Sequence, residues 1–252
     1  MSIIIDLSEK TALITGATRG IGKSIANYFH NAGANLILTG TKFDDIEKLN
    51  LENIKLGINN CKYIQADFSD PISMNNFLNK IESYKQIDIC VNNAGVNRID
   101  DFIDTTIEDF NWVNEINVTA PYKILKIVGP KMIENNYGRI INVASIWSVV
   151  NRRGRSIYSE SKNAIVGLTK ALAVEWAQHN VLVNAVSPGF ILTELTKTTN
   201  TKKQLEEIRK VIPSNRLADP DEVARFVIFL CSELNTYLTG QNIVIDGGYS
   251  NL

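Results

Sequence analysis

The sequence predicts an open, doubly wound α/β sheet of about seven parallel strands, with helices on both faces, in one domain spanning residues 1–252. Three observations predict it. Short apolar runs recur along the chain and lack period-two alternation, as in parallel strands covered on both faces. Longer stretches of helical periodicity lie between them, so the strands need crossover connections. The chain has 252 residues and 44% hydrophobic content, enough to bury a single large core.

The strands are expected at "TALITG" (11–16), "ANLILTG" (34–40), "KYIQAD" (62–67), "IDICVNNAG" (87–95), "GRIINVAS" (138–145), "VLVNAVSPG" (181–189) and "NIVIDGG" (242–248). Between them, "GKSIANYFHNAG" sets Ile25, Tyr28 and Phe29 on one helix face and stops at Gly33. "SDPISMNNFLNKIES" begins with Ser or Asp before Pro71, a favourable helix entry. "PDEVARFVIFLCSE" follows Asp219-Pro220 and carries Val223, Phe226, Val227 and Leu230. In such sheets ligands bind at the carboxyl ends of the strands, so the chemistry belongs to residues that end the apolar runs.

Composition excludes several classes. A formal net charge of -1 gives no reason to expect a nucleic-acid partner. "MSIIIDLSEK" has neither the cationic lead of a secretory leader nor the length of a membrane span. Three unpaired cysteines, Cys61, Cys90 and Cys231, fit the cytoplasm and form no framework or zinc pattern, with Cys90 read as core. His30 and His179 lack ligand-spaced neighbours, so no metal is expected.

The first strand runs into "TGATRGIG" and then a helix. Gly16 permits the turn, and Gly20 and Gly22 let backbone approach a diphosphate, with Thr18, Arg19 and Ile21 between them. The GxxxGxG spacing differs from both GxGxxG and the GxxxxGK[ST] of nucleotide triphosphatases. After the second strand come Gly40, Thr41 and Lys42, where an NAD site usually places an acid. The first acid is Asp44. Lys42, Thr41 and Arg19 suit an added 2′-phosphate, so NADP(H) is favoured over NAD(H), the alternative being solvated surface charge. Asp67 and Phe68 end the third strand as adenine contacts, with Ser69 or Asp70 better placed to cap the next helix. Asn93, Ala94 and Gly95 end the fourth, where Asn92 and Asn93 either tie strands or form a structural turn.

"TGATRGIG", "NNAG", the serine of "NVASIWS", "YSESK" and "SPGFILTE" follow one another as in the short-chain dehydrogenase/reductase family, which the chain resembles over essentially its whole length. It looks most like the branch holding 3-oxoacyl-(acyl-carrier-protein) reductase and many sugar and polyol dehydrogenases. The resemblance implies a Rossmann-like fold, hydride transfer with a nicotinamide cofactor, a small carbonyl or alcohol substrate and commonly a homotetramer. It carries catalytic roles to Asn117, Ser145, Tyr158 and Lys162. By the same resemblance Asn117 holds a water that links Lys162 to solvent, Lys162 bonds the nicotinamide ribose, and Ile191 and Thr193 after Pro188-Gly189 hold the carboxamide.

Elementary chemistry reaches compatible roles. Tyr158 and Lys162 are i and i+4, on one helix face. An ammonium about 5 Å from a phenol favours phenolate by roughly 3 kcal/mol at an effective dielectric of about 20, or about two pKa units. Ser145 ends a strand and can hydrogen-bond the reacting oxygen.

The substrate is less legible. Two enzyme readings stand, a 3-oxoacyl reductase and a sugar, polyol or sugar-acid dehydrogenase. A nucleotide-sensing or scaffold protein without turnover is the third, opposed by the intact Ser145, Tyr158 and Lys162. Arg152, Arg153 and Arg155 suit either an anionic substrate or surface and inter-subunit salt bridges. Trp147 is read as pocket wall, core or subunit contact. Where related fatty-acid reductases meet acyl carrier protein with basic residues, this chain has Asn135, Asn136, Tyr137 and Val174, which weakens that partnership. The polar segment near 191–215 reads as a substrate lid or a surface helix. The helices over Ala120 to Ile133 and Ser161 to Gln178 are apolar nearly all round, as expected of a subunit interface or of buried core.

Overall fold

The computed structural model describes residues 4–252, apart from the side chains of Leu195 and Thr199. Seven parallel strands form one sheet in the order β3-β2-β1-β4-β5-β6-β7. In chain order the elements are β1 (Thr11–Ile14), α1 (Gly20–Asn31), β2 (Asn35–Gly40), α2 (Phe43–Lys55), β3 (Cys61–Gln65), α3 (Pro71–Glu82), β4 (Ile89–Asn92), α4 (Ile107–Asn114), α5 (Ala120–Glu134) and β5 (Gly138–Val143). There follow α6 (Ser156–Trp176), β6 (Val181–Pro188), α7 (Glu194–Thr199), α8 (Lys202–Lys210), α9 (Pro220–Cys231) and β7 (Asn242–Ile245). The strand order reverses between β1 and β4, which opens a crevice above their carboxyl ends. The expected Rossmann-like α/β architecture is present.

The expected apolar runs contain the strands, most of them shorter than expected, while β3 begins one residue earlier, at Cys61. On one face Ile25 and Phe29 of α1 and Val223 and Val227 of α9 are fully buried. On the other, Phe77 and Ile81 of α3 and Ile124 and Val128 of α5 are as deep. Asp70 caps α3 by accepting from Ser73 N at 2.8 Å, with Pro71 opening the helix. Asp219 and Glu222 form a capping box on α9. Cys90 and Cys231 are buried, Cys61 is half-buried, and all three are free.

Asn92 ties two strands, as one reading of its position expects. Its Nδ2 donates to Asn142 Oδ1 at 2.8 Å, and Asn142 Nδ2 donates to Thr169 Oγ1 on α6 at 2.9 Å. All three side chains are buried and satisfied, so this polar ladder fixes α6 against the centre of the sheet. Between α4 and α5 the backbone makes a π-turn over Glu115–Thr119, a wide turn often found at functional sites. No described helix is long and apolar enough to cross a membrane.

Candidate active site

The glycine loop is held by hydrogen bonds between side chains and main chain. Thr15 Oγ1 accepts from Asn93 N and Ala94 N, each at 3.0 Å. Asn93 Nδ2 donates to Thr15 O at 2.9 Å and Gly16 O at 3.0 Å, so β1 and β4 are locked together where the crevice begins. A Cβ on Gly22 would stand 2.3 Å from Gly16 O and 2.4 Å from Asn93 Nδ2. Gly16 has φ +64 and would set a Cβ 3.0 Å from Ala94 Cα. These two positions exclude any larger residue and leave backbone facing the crevice.

That crevice is a cleft of about 600 Å³. All the glycine-loop candidates line it, with Thr41, Lys42, Asp67, Phe68, Asn93, Ala94, Gly95 and Thr193. Arg19 and Lys42 are exposed at its edge, and neither forms an ion pair among the described residues. Asp67 accepts from Ser69 N at 2.9 Å and Ser69 Oγ at 2.6 Å, while the capping duty goes to Asp70. The Phe68 ring is buried against Phe77, 5.5 Å between centroids. Asp45, Trp112 and Ile116 also border the cleft and are absent from the sequence reading. Asp45 was hidden behind the nearer Asp44, and nothing local marks Trp112 or Ile116.

Beyond β6, Thr193 caps α7 by accepting from Thr196 N at 3.1 Å, and its methyl reaches the glycine loop, 3.3 Å from a Cβ built on Gly20. Pro188, Gly189 and Ile191 do not line the cleft. Pro188 ends β6, a Cβ on Gly189 would meet Asp246 Cα at 2.8 Å, and Ile191 is buried and bridges Ala218. These three shape the path that delivers Thr193.

Ser145, Tyr158, Lys162 and Asn117 converge where β5 ends. Ser145 opens a short 3-10 turn, accepts from Trp147 N at 3.3 Å and stands near enough to the Tyr158 phenol to favour its charged form. Lys162 is buried. Its Nζ donates to Val143 O at 2.8 Å and lies 5.6 Å from the Tyr158 ring centroid. Asn117 sits in the π-turn. Its Oδ1 accepts from Val96 N at 2.9 Å, and its Nδ2 donates to Val96 O at 2.9 Å and Ser161 Oγ at 3.0 Å. Gly95 joins the two regions: a Cβ there would lie 3.3 Å from Asn117 Oδ1 and 3.4 Å from Lys162 Nζ.

One expectation is corrected. The helix spacing predicts that Lys162 lowers the Tyr158 pKa, yet among the protein's own groups the phenol is shifted upward. Burial penalises the phenolate, opposed by the nearby Ser145 hydroxyl and the Arg155 charge. The same burial lowers Lys162 to about 8, so this ammonium is a weaker source of positive charge than an exposed one. A helix wheel shows which residues share a face but not what dehydrates them.

Glycine-built backbone at the switch point, with a serine, a phenol and a lysine at the adjacent strand end, is the architecture of a nicotinamide-dependent oxidoreductase. The residues fit such a dinucleotide: the Cβ-excluding cradle, the open cleft and the unpaired cations at its rim. The chain belongs to the short-chain dehydrogenase/reductase family, whose profile described as enoyl-(acyl carrier protein) reductase matches residues 16–250. It is 43% identical over 251 residues to oxidoreductase UcpA of Salmonella typhimurium, covering 96% of this chain and 95% of that one. It is 37% identical over 246 residues to 3-oxoacyl-(acyl-carrier-protein) reductase FabG of Aquifex aeolicus, covering 97% and 98%. It superposes with a TM-score of 0.89 on gluconate 5-dehydrogenase from Burkholderia cenocepacia in complex with NADP and tartrate, at 27% identity and with 98% and 97% of the chains covered. The protein is thus an NAD(P)-dependent enzyme of this family.

Proposed function

We propose that the protein interconverts a ketone and a secondary alcohol, with Ser145, Tyr158, Lys162 and Asn117 as its working residues and NADP(H) as its preferred cofactor. The observation that carries this reading is that buried Lys162 and Asn117 meet Gly95, which lines the cleft, with Ser145 and Tyr158 beside Lys162 where β5 ends. Bound along the cleft, the dinucleotide supplies hydride to the carbonyl carbon in reduction and accepts it in oxidation. Tyr158 gives its proton to the reduced oxygen, or takes it back from the alcohol. Ser145 aims the phenol and donates to the oxygen as charge develops there. Lys162 keeps one Nζ hydrogen on Val143 O and has the others left with which it would hold the ribose of a bound cofactor. Asn117 clamps the loop after β4 to α6, and so sets the height of Lys162 above Gly95. We place the water implied by the family resemblance at the same residue.

Arg19, Thr41 and Lys42 support the cofactor preference. They present hydrogen-bond donors and two unpaired cations at the rim where an extra phosphate would sit, with Asp45 as the acid nearest them in sequence that also borders the cleft. Of the two substrate readings, a sugar, polyol or sugar-acid dehydrogenase is favoured over a 3-oxoacyl reductase. At the positions where a carrier protein would meet cations, α5 ends in Asn135 and Asn136, and α6 offers Val174, 84% exposed. We propose that residues 191–215 act as the lid of this single domain, since no residue of α8 is buried and Thr193 sits at the cleft. Exposed Tyr122 on α5 and Val174 on α6, with open space over Gly167, support pairing of these helices in a homotetramer. The free cysteines support a cytoplasmic setting.

The test is a panel of acetoacetyl thioester, short 3-oxo esters, sugars, polyols and sugar acids, each with NADP(H) and NAD(H), followed by nicotinamide absorbance. Turnover of a ketone or secondary alcohol with a lower KM for NADP(H) is expected. Absence of any turnover across the panel overturns the reading, and a lower KM for NAD(H) overturns its cofactor clause.

A further inference from the structure

The three arginines before α6 have different surroundings. Arg153 is spent: its Nε donates to both oxygens of Asp101, at 2.7 and 3.0 Å, and its Nη2 closes the fork. Arg152 is exposed. Arg155, at the N-cap of α6, is half-buried, with its guanidinium carbon 5.5 Å from the Trp147 ring centroid. It has no carboxylate partner among the described residues. It lies one helical turn before Tyr158, and its charge acts on that phenol.

Its footing is rigid. Trp147 is buried and meets Phe190 and Tyr249 edge-on, at 6.1 and 6.2 Å, and those two rings meet at 5.2 Å. This corner joins the turn after Ser145, the end of β6 and the C-terminal turn. Stacking on an indole leaves the guanidinium edge, with its donors, free for a planar anion. Arg155 also lines a groove of about 750 Å³ beside the first turn of α6, shared with Arg152 and the apolar Phe102 and Ile103; the groove's two carboxylates are engaged elsewhere, Asp101 with Arg153 and Glu160 as acceptor from Asn114 Nδ2 at 3.0 Å. A half-dehydrated cation without an anion is costly unless a ligand supplies one. One fork matches one carboxylate, whereas a phosphate monoester would bring nearly two charges to it.

We propose that Arg155, stacked on Trp147 one turn before Tyr158, receives the carboxylate of the substrate, which makes that substrate a short hydroxy or oxo acid. The inference rests on the proposed ketone–alcohol chemistry and narrows it to an anionic substrate class. It also assigns the three arginines separate duties: Arg153 anchors its loop to Asp101, and Arg155 selects.

The test compares D-gluconate with D-glucitol, its neutral counterpart, in NADP+ reduction by wild type, Arg155→Gln, Arg155→Lys and Arg152→Gln. Wild type is expected to favour gluconate in kcat/KM by about tenfold or more, the worth of one charge-assisted pair. Arg155→Gln is expected to raise the gluconate-to-glucitol KM ratio about 10- to 100-fold with kcat for gluconate changed far less. Arg155→Lys is expected to recover part of the loss, and Arg152→Gln to leave the ratio within about twofold. An unchanged ratio in Arg155→Gln, or turnover confined to neutral substrates, overturns the inference and leaves the ketone–alcohol reading standing. If neither polyol is turned over, calorimetry of tartrate binding to the NADP+ complex decides. A loss of about tenfold or more in affinity in Arg155→Gln supports the assignment, and unchanged or absent binding overturns it.

Discussion

Gly22 stands in the dinucleotide half of the proposed site and Arg155 in its proposed substrate half, and their surroundings differ in kind. Around Gly22 there is only main chain and one asparagine amide, so close that a single added carbon would collide at 2.3 Å. Around Arg155 there is a ring face and a groove, and among the described residues no carboxylate pairs with it. At Gly16 and Gly22 the dinucleotide half is cut from backbone geometry and tolerates no side chain. The substrate half is assembled from side chains on loops that tertiary packing brings together. The first half therefore serves any substrate, and the second is free to choose one.

Four substitutions sharpen that contrast. Gly22→Val should break the backbone half outright, because neither Gly16 O nor Asn93 can retreat. Dinucleotide affinity, followed by fluorescence of the bound nicotinamide, should fall by about 3 kcal/mol or more, beyond a hundredfold. An unchanged affinity would mean that the cradle is softer than its contacts indicate.

Lys162 joins the halves, and its burial has a pH signature. Its folded pKa of about 8 lies below its ordinary 10.5. Below pH 8 it is charged in both folded and unfolded chains, and the full cost of burying the charge is present. Between 8 and 10.5 the folded chain binds fewer protons than the unfolded one, so stability from this group rises with pH. The rise is on the order of 3 kcal/mol. Lys162→Met should remove it. Denaturation midpoints at pH 7 and pH 10 should show the variant losing ground to wild type at the higher pH. A pH-independent difference would contradict the assigned burial.

Lys42→Gln tests the cation at the outer rim. It should raise the KM for NADPH about five- to tenfold and change that for NADH little, read by initial rates. Equal effects on both cofactors would remove Lys42 from phosphate recognition. Asp219→Ala removes the cap of α9, which packs on α1 behind the cradle. It should cost about 1 kcal/mol, a shift of about 2–4 °C in the melting midpoint, and leave NADPH KM unchanged. A changed KM would show that the cradle depends on its helical backing.

The same contrast explains what the sequence discloses. The glycine turn, Asp70-Pro71, Asp219-Pro220 and the continuous apolar strands are local signals, each legible because a backbone constraint admits few residues. Their loci in the fold agree with the reading. The helices α2 and α4 went unread for opposite reasons. α2 buries only Ile46, so its apolar stripe is faint. α4 is short, although Thr106 and Asp109 spell its capping box. The π-turn that holds Asn117 has no compositional mark. The aromatic corner of Trp147, Phe190 and Tyr249 unites residues from three distant segments, and no spacing foretells it. The upward shift of the Tyr158 phenol depends on dehydration, which only the folded surroundings supply.

The most direct test of proton exchange at Tyr158 is a paired measurement on Tyr158→Phe: single-turnover NADPH oxidation with a saturating ketone, and NADPH affinity in the same preparation. The substitution removes one oxygen from the substrate half and nothing from the cradle. The rate should fall by about a thousandfold or more while affinity stays within about twofold. A variant that retains most of its rate would show that the phenol does not carry the proton.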